Sequence, residues 1–226
     1  MSLEPNTLIE RYQAVRGSLP PHVTLVAVSK TRSVEEIKAL YDLGHRAFGE
    51  NYPQELRDKR PMLPPDIEWH FIGHLQRNKV KYIAPFVHLI HTVDGLDLLD
   101  EIEKRAAAAG RTIGILVQVH IAQEETKHGM LADQVRALVT GWDVSRWPHL
   151  ELRGLMGMAT NTEEGAVVTR ELAGLRALFD ELSPGAVSRG IPFHTLSMGM
   201  SADAHLAVTA GSTLVRVGSS LFGPRT

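Results

Sequence analysis

A lysine, an arginine and two short segments rich in glycine and serine are the residues of this chain best suited to chemistry. Lys30 directly follows the run Val26-Ala27-Val28-Ser29, so its amine lies at the end of a candidate buried strand. Removing an amine from water lowers its pKa, and a neutral amine is a nucleophile toward carbonyl carbon. Lys30 is therefore a candidate Schiff-base lysine, although a lysine that extends to solvent or pairs with an acid fits the same position.

Two later segments could bind an anion. Leu196-Ser197-Met198-Gly199-Met200-Ser201-Ala202-Asp203 places glycine and serine between a candidate strand and a candidate helix, where N–H groups and a hydroxyl can bind phosphate. Ser201 is equally suited to cap that helix. The second segment has Arg216 in an otherwise apolar strand, where burial is costly without a partner, and Gly218 lets the backbone approach a phosphate closely. Taken singly, Arg216 could also belong to an interior ion pair.

Alternating strand-like and helix-like segments must position these residues. The first strand is followed by a helix at whose start Ser33 and Glu36 have the spacing of a capping box. The predicted strands are His22–Val28, Arg46–Phe48, Glu68–Ile72, Val87–His91, Thr112–Val119, Leu150–Met156, His194–Leu196 and Thr213–Val217. The predicted helices are about 4–18, 33–41, near 52–60, from about 76, 95–109, near 131–141, 163–182 and 201–210.

About eight strand–helix units without a linker favour a parallel sheet with helical crossovers, closed as an α/β (β/α)8 (TIM) barrel with an extra N-terminal helix. A doubly wound open sheet is the alternative. Such a sheet usually has a glycine-rich first turn, whereas Ser29-Lys30-Thr31-Arg32 contains no glycine.

In such a barrel the strand ends meet at one face, and phosphate sites on the last two strands are frequent. Lys30 and Arg216 would then lie beside two phosphate-binding turns. Pyridoxal 5′-phosphate (PLP) requires an amine for its aldehyde, a site for its phosphate and a group that faces its ring nitrogen, here a cation. The sequence therefore predicts PLP as the cofactor.

Five segments in order resemble the PLP homeostasis proteins (the YggS/PROSC family), which are similar in turn to the N-terminal barrel of alanine racemase. The resemblance covers nearly the whole chain. Its segments are Ala27–Lys30, Gly49–Glu55, Trp69–Lys79, Leu196–Asp203 and Arg216–Gly223, of which Trp69–Lys79 is the most specific. The chain departs from the family pattern at His74 and Gly95. The segment 120–129 keeps the ending Lys127-His128-Gly129 but has an atypical start, so no role is predicted for it.

The resemblance implies one PLP-binding domain over residues 1–226, of the fold-type III-like barrel, without the C-terminal β-domain of alanine racemases. It implies Lys30 as the Schiff-base lysine and Arg216 at the pyridine nitrogen. It places Ser201, Gly218 and Ser219 at the phosphate, and Asn51 near the cofactor. A protonated arginine disfavours protonation of the ring nitrogen and weakens the ring as an electron sink. The expected function is therefore PLP homeostasis, meaning buffering and delivery to PLP-dependent apoenzymes without robust catalysis.

Three alternatives stay open at this point. One is a low-activity, alanine-racemase-like PLP-dependent isomerase, although such a reaction needs two bases and the sequence offers one obvious base, Lys30. Another is a Schiff-base aldolase without PLP, which would not need Arg216 to face a ring. The third is a barrel that binds a phosphorylated metabolite without a covalent bond.

Composition excludes several other classes. The chain has 226 residues, 43% of them hydrophobic, a net charge of −2 and no cysteine. Disulfides and thiolate metal sites are therefore excluded, and the charge gives no reason to expect nucleic acid or an anionic membrane as partner. His70 and His74 do not form a helical zinc motif because Gly73 argues against a helix, so no metal site is predicted. Without a secretory signal or an apolar segment of about 20 residues, we expect a cytoplasmic protein. Because the expected barrel lacks the dimer domain of the racemases, we expect a monomer.

Overall fold

The computed structural model describes residues 7–124 and 128–223, and in it eight parallel strands close into a barrel. Each strand pairs with the next along the chain, and the last pairs with the first. The strands are β1 Thr24–Val28, β2 Ala47–Glu50, β3 Glu68–Phe71, β4 Leu89–Val93, β5 Ile113–Val119, β6 Leu150–Gly157, β7 Thr195–Ser197 and β8 Leu214–Val217. The predicted barrel is thus confirmed, and the open sheet is excluded.

Helices cover the outside of the barrel and connect its strands. They are α1 Leu8–Ser18, α2 Val34–Asp42, α3 Pro53–Lys59, α4 Val80–Ile83, α5 Leu96–Ala108, α6 Ala132–Thr140, α7 Gly165–Ser188, α8 Ala204–Thr209 and α9 Ser219–Phe222. Short 3-10 turns at Arg60–Met62 and Arg77–Lys79 precede β3 and α4. The helix predicted from about residue 76 is therefore a 3-10 turn followed by a single α-helical turn.

The extra N-terminal helix is confirmed as α1, which begins after a capping box formed by Thr7 and Glu10. Residues 4–6 of the predicted helix lie outside the described residues. The helix α9 was not predicted. It packs against α1, where Arg11 Nε donates to the carbonyl of Leu221 at 2.7 Å. The two ends of the described chain thus meet on one side of the barrel.

Two other helices differ from their predicted bounds. The helix α7 continues past residue 182 through Pro184, because its apolar face still packs on the core at Leu182 and Ala186. The helix α8 begins at Ala204, three residues after the predicted start, because the chain first makes a turn in which the Met200 N–H donates to Asp203 Oδ1 at 2.6 Å. Ser201 is therefore not the cap of α8.

The barrel encloses an interior that is partly apolar and partly polar. The large apolar core lies between the strands and the helices, and a small second cluster fills the barrel. The inner cluster consists of Val26, Ala47, Leu89, Leu116, Met156 and Leu214. Buried polar side chains share the interior with it, among them His70, His91, Ser197 and Arg216.

In the described ranges, every helix is too short or too polar to cross a lipid bilayer.

Candidate cofactor site at the strand ends

All six residues that the sequence predicts for the site line one cavity of about 450 Å³ at the carboxyl ends of the strands. Five of them follow β1, β2, β7 or β8, and Arg216 lies in β8 itself. These four strands are neighbours in the barrel. The six are Lys30, Asn51, Ser201, Arg216, Gly218 and Ser219, and the apolar walls are Val28, Ile72 and Met158. The structure thus brings the predicted residues together. Their roles toward a ligand stay predictions.

The backbone on either side of Lys30 is held by residues of α3. Thr31 has a φ of +63°, which costs a non-glycine residue about 1–2 kcal/mol. The Thr31 N–H donates to Glu55 Oε1 at 2.6 Å, and Lys59 Nζ donates to the carbonyl of Ser29 at 2.8 Å. These contacts stabilise the strained turn and so fix the position of the Lys30 backbone at the end of β1.

A buried ion pair lies beneath this turn. Glu50 is fully buried, and Lys59 Nζ lies 2.9 Å from its Oε1. Ser29 Oγ donates to the same oxygen at 2.7 Å. Burial raises the pKa of Glu50, and the Lys59 ammonium opposes that shift. Lys59 Nζ also lies 2.6 Å from Glu55 Oε1, one helical turn away. Sequence reasoning missed both contacts of Lys59, although the i,i+4 spacing of Glu55 and Lys59 was visible.

Arg216 enters the interior from β8 and bonds to neutral acceptors. It donates from Nη1 to the carbonyl and hydroxyl of Ser197, and from Nη2 to the carbonyl of Gly157 at 3.1 Å. Among the described residues it forms no salt bridge, so the interior ion pair considered from the sequence is not observed. Burial lowers the pKa of Arg216 to about 10, so the guanidinium stays charged at neutral pH.

Hydrogen bonds continue from Ser197 across the barrel. Ser197 Oγ lies 3.0 Å from His91 Nδ1, and His91 Nε2 lies 2.8 Å from His70 Nδ1. Because β7 and β4 are not adjacent strands, the first of these contacts must pass through the interior. Burial lowers the pKa of His70 to about 3 and that of His91 well below its usual value, so both rings are neutral. No motif in the sequence predicted these contacts.

Ser201 and Gly218 join the two segments predicted to bind phosphate. The Gly218 N–H donates to Ser201 Oγ at 3.1 Å. A Cβ atom at position 218 would lie 3.3 Å from the Cβ of Val28, which is tighter than ordinary contact. Glycine at this position therefore lets the loop after β8 approach the end of β1, and leaves N–H and hydroxyl groups at the cavity wall.

Asn51 provides an acceptor with no partner among the described residues. Its Oδ1 is buried and accepts no hydrogen bond there. A buried acceptor without a partner costs about 1–3 kcal/mol, so a bound donor group would be favoured at this wall of the cavity. The backbone of Asn51 is held closely by Gly73, where a Cβ atom would lie 2.1 Å from the Asn51 carbonyl oxygen. The same cavity holds the Lys30 amine, the Arg216 guanidinium and the Ser201 hydroxyl, which are donors suited to a small anionic ligand.

A larger groove of about 670 Å³ lies elsewhere, beside Arg77 and Asp97. Its walls are charged or amide side chains of the segment before α4 and of α5, and it contains none of the six predicted residues. The strand-end cavity is therefore the better candidate site.

The chain is similar to known proteins over nearly its whole length. The family model described as "Alanine racemase, N-terminal domain" matches residues 4–226. A "Pyridoxal phosphate homeostasis protein" of Pasteurella multocida is 36% identical over 208 residues, which cover 90% of this chain and 87% of the relative. PipY of Synechococcus elongatus, solved without PLP, is 35% identical with a TM-score of 0.89 over 96% of this chain and 100% of PipY. PipY with PLP bound is 34% identical with a TM-score of 0.85 over the same shares.

Proposed function

We propose that this chain, which belongs to the pyridoxal phosphate homeostasis proteins and to the alanine racemase N-terminal domain family, binds PLP in the strand-end cavity through a Schiff base on Lys30. The observation that carries the proposal is the convergence of all six predicted residues on that one cavity. PipY, of nearly the same fold, is known with PLP bound, which supports the same ligand here.

The residues present fit this cofactor. Bound PLP supplies an aldehyde for an amine and a ring that withdraws electrons. Lys30 provides the amine, and Arg216 provides a charged donor for the ring nitrogen. Ser201 and Ser219 provide hydroxyl groups for the phosphate, and Gly218 lets the backbone approach it closely. Asn51 has an acceptor that still needs a donor.

The position of Arg216 favours a carrier, or at most a racemase-like two-base reaction, over chemistry that needs a strong electron sink. Its pKa of about 10 keeps it charged, and a charged guanidinium can only donate hydrogen bonds. A ring nitrogen that accepts from Arg216 stays unprotonated and withdraws electrons weakly. We therefore propose that the protein buffers PLP and delivers it to PLP-dependent apoenzymes, without robust turnover. We further propose that it does so as a cytoplasmic monomer.

Visible absorbance tests the cofactor and its linkage. After incubation with PLP and desalting, the wild type should show a band that borohydride bleaches, and a peptide containing Lys30 should carry the pyridoxyl mass. Lys30→Ala should lack the band. Lys38→Ala is the matched control, since Lys38 is an exposed lysine on α2 paired with Asp42. A wild type that stays colourless, or a Lys30→Ala variant that keeps the band, would overturn the proposal.

Two further assays separate a carrier from an enzyme. The loaded protein should restore activity to a PLP-free aminotransferase, and Lys30→Ala carried through the same loading should not. Incubation with L-alanine should form D-alanine no faster than with Lys30→Ala. Rapid racemisation would overturn the carrier proposal while leaving PLP binding intact.

A further inference from the structure

Two features that the proposed function leaves unassigned, His74 and His128, lie against each other at the rim of the barrel. Their rings stack with centroids 3.9 Å apart and planes 13° apart. Asp94 Oδ2 lies 3.6 Å from His74 Nδ1. One nitrogen from each histidine and one Asp94 oxygen all lie within 4.8 Å of one another. We propose that these three side chains form a binding site for a divalent transition-metal ion of the Zn²⁺ type.

The donor set decides which class of ion fits. Imidazole nitrogen suits Zn²⁺, Co²⁺, Ni²⁺ and Cu²⁺, whereas Mg²⁺ and Ca²⁺ prefer sites made only of oxygen. Zn²⁺ binds nitrogen and oxygen at about 2.0–2.2 Å, so donors around one tetrahedral ion lie about 3.3 Å apart. Donors now within 4.8 Å can reach that spacing by side-chain rotation, because the side chains of His74 and Asp94 are 45% and 22% exposed. Three protein ligands leave one coordination position open to water or a small ligand.

A hydrogen bond links the backbone beside His74 to the strand that precedes Asp94. His74 follows Gly73, whose carbonyl accepts a hydrogen bond from Thr92 Oγ1 at 2.6 Å. Thr92 lies near the end of β4, and Asp94 is the first residue after that strand. The two ligands therefore leave neighbouring strands from positions that a buried hydrogen bond ties together.

His128 is anchored to the next strand, β5. Its carbonyl accepts from Gln118 Nε2 at 2.8 Å, and the Met130 N–H donates to the Gln118 carbonyl at 2.8 Å. Gly129 between them has a φ of +140°, where a Cβ atom would collide with the backbone at His120. The three ligands thus lie in the loops that follow three consecutive strands, and hydrogen bonds to β4 and β5 hold the backbone beside His74 and at His128 before any ion binds.

A second group of potential ligands, Glu68, His70 and His88, lies toward the opposite end of the barrel. There Arg153 Nη1 lies 3.0 Å from His88 Nε2, so an incoming cation would meet a guanidinium. The group at the rim has the better electrostatics for a metal ion, and the second group serves as an internal comparison.

Metal titration of the full-length protein tests the proposal. Tag-free protein, stripped with chelator and desalted, is titrated with Zn²⁺ by calorimetry and with Co²⁺ by visible absorbance. We expect one site, with the strong Co²⁺ bands of tetrahedral coordination. His74→Ala, Asp94→Asn and His128→Ala should each weaken Zn²⁺ binding by about tenfold or more, since even outer-shell changes at metal sites cost that much. His22→Ala, which removes another exposed histidine, should bind as the wild type does.

Several results would overturn the site. They are no Zn²⁺ binding up to millimolar concentration, unchanged affinity in the three variants, or loss of binding in His88→Ala instead. The titration is repeated with Lys30→Ala, without added PLP, and binding should persist. If the ion binds only when PLP is present, it sits on the cofactor and the proposal fails. PLP binding itself is scored separately by the absorbance test, so each proposal can fail alone.

Discussion

Arg216 donates a hydrogen bond to the hydroxyl of Ser197 inside the barrel, and this contact sets the direction of the hydrogen bonds beyond it. Arginine can only donate, so Ser197 Oγ accepts from it and its own proton is left for His91 Nδ1. His91 then carries its proton on Nε2 and donates to His70 Nδ1. The proton of His70 lies on Nε2, which has no partner among the described residues. If the hydrogen bonds ran the other way, His91 Nδ1 would donate to Ser197 Oγ. The Ser197 hydroxyl proton would then also be left without an acceptor.

Ser197→Ala should destabilise the protein and disturb Arg216. The change leaves a buried N–H of Arg216 and Nδ1 of His91 without a partner, and each such group costs about 1–3 kcal/mol. We expect a free energy of unfolding lower by at least about 1 kcal/mol in urea denaturation, and weaker PLP binding. Ser188→Ala near the end of α7, whose hydroxyl is exposed, should differ from the wild type by less than about 0.5 kcal/mol. Equal losses in the two variants would contradict this account of Ser197.

The tautomers of His91 and His70 can be observed directly. In ¹⁵N-detected NMR of the PLP-free protein at pH 7, both rings should be neutral with the proton on Nε2. Neither should titrate between pH 5 and 8, because burial holds the pKa of His70 at about 3 and that of His91 well below its usual range. A His91 ring protonated on Nδ1 would mean that the chain of hydrogen bonds runs the other way.

Stability should fall as the pH falls below about 6.5. Histidine titrates near 6.5 in the unfolded chain, whereas burial lowers the pKa of His45, His70, His88 and His91 in the folded protein. The unfolded state therefore binds more protons below pH 6.5, and each such histidine removes up to about 1.4 kcal/mol per pH unit. For His70 this loss continues down to about pH 3. Glu50, whose pKa burial raises, acts in the opposite direction but is a single group.

Urea midpoints at pH 7.5, 6.5 and 5.5 measure this slope. His91→Gln should be less stable than the wild type at pH 7.5, yet should lose less stability between pH 6.5 and 5.5, because one of the four histidines is gone. A slope identical to that of the wild type would show that His91 is not neutral in the folded protein.

Lys59→Met should be strongly destabilising, and Glu50→Gln should relieve much of the damage. Removing Lys59 leaves a buried carboxylate without its counter-charge, which costs about 3–5 kcal/mol. In the double variant no buried charge remains, so its loss should be smaller than the sum of the two single losses. Chemical denaturation of all four proteins measures the coupling. Additive losses would show that the pair at 2.9 Å contributes no coupling.

Local sequence patterns predicted much of the fold, and the positions of residues at the ends of the predicted strands indicated where the site lies. Alternating strands and helices predicted the barrel. Lys30, Ser201, Arg216 and Gly218 were candidates because they lie at strand ends or within β8, whereas Asn51 and Ser219 were added by the family resemblance. The chain from Ser197 to His70 was not predictable, because it joins strands that are distant in the sequence and meet only inside the closed barrel. The alternative of a helix cap at Ser201 is not observed, because a hydroxyl fits a cap or a loop contact equally well and tertiary packing placed it against Gly218.

Gly73→Ala should damage the cofactor cavity from outside it. A methyl group at position 73 would lie 2.1 Å from the Asn51 carbonyl oxygen, so the backbone of Asn51 must move. Overpacking of this kind costs about 1–3 kcal/mol, and here it displaces a residue of the cavity wall. We expect lower stability and a higher dissociation constant for PLP, measured by absorbance titration. Gly95→Ala is the matched control, because Gly95 has an extended backbone with no atom within 4 Å of an added Cβ. If both variants bind PLP as the wild type does, Asn51 does not help to hold the cofactor.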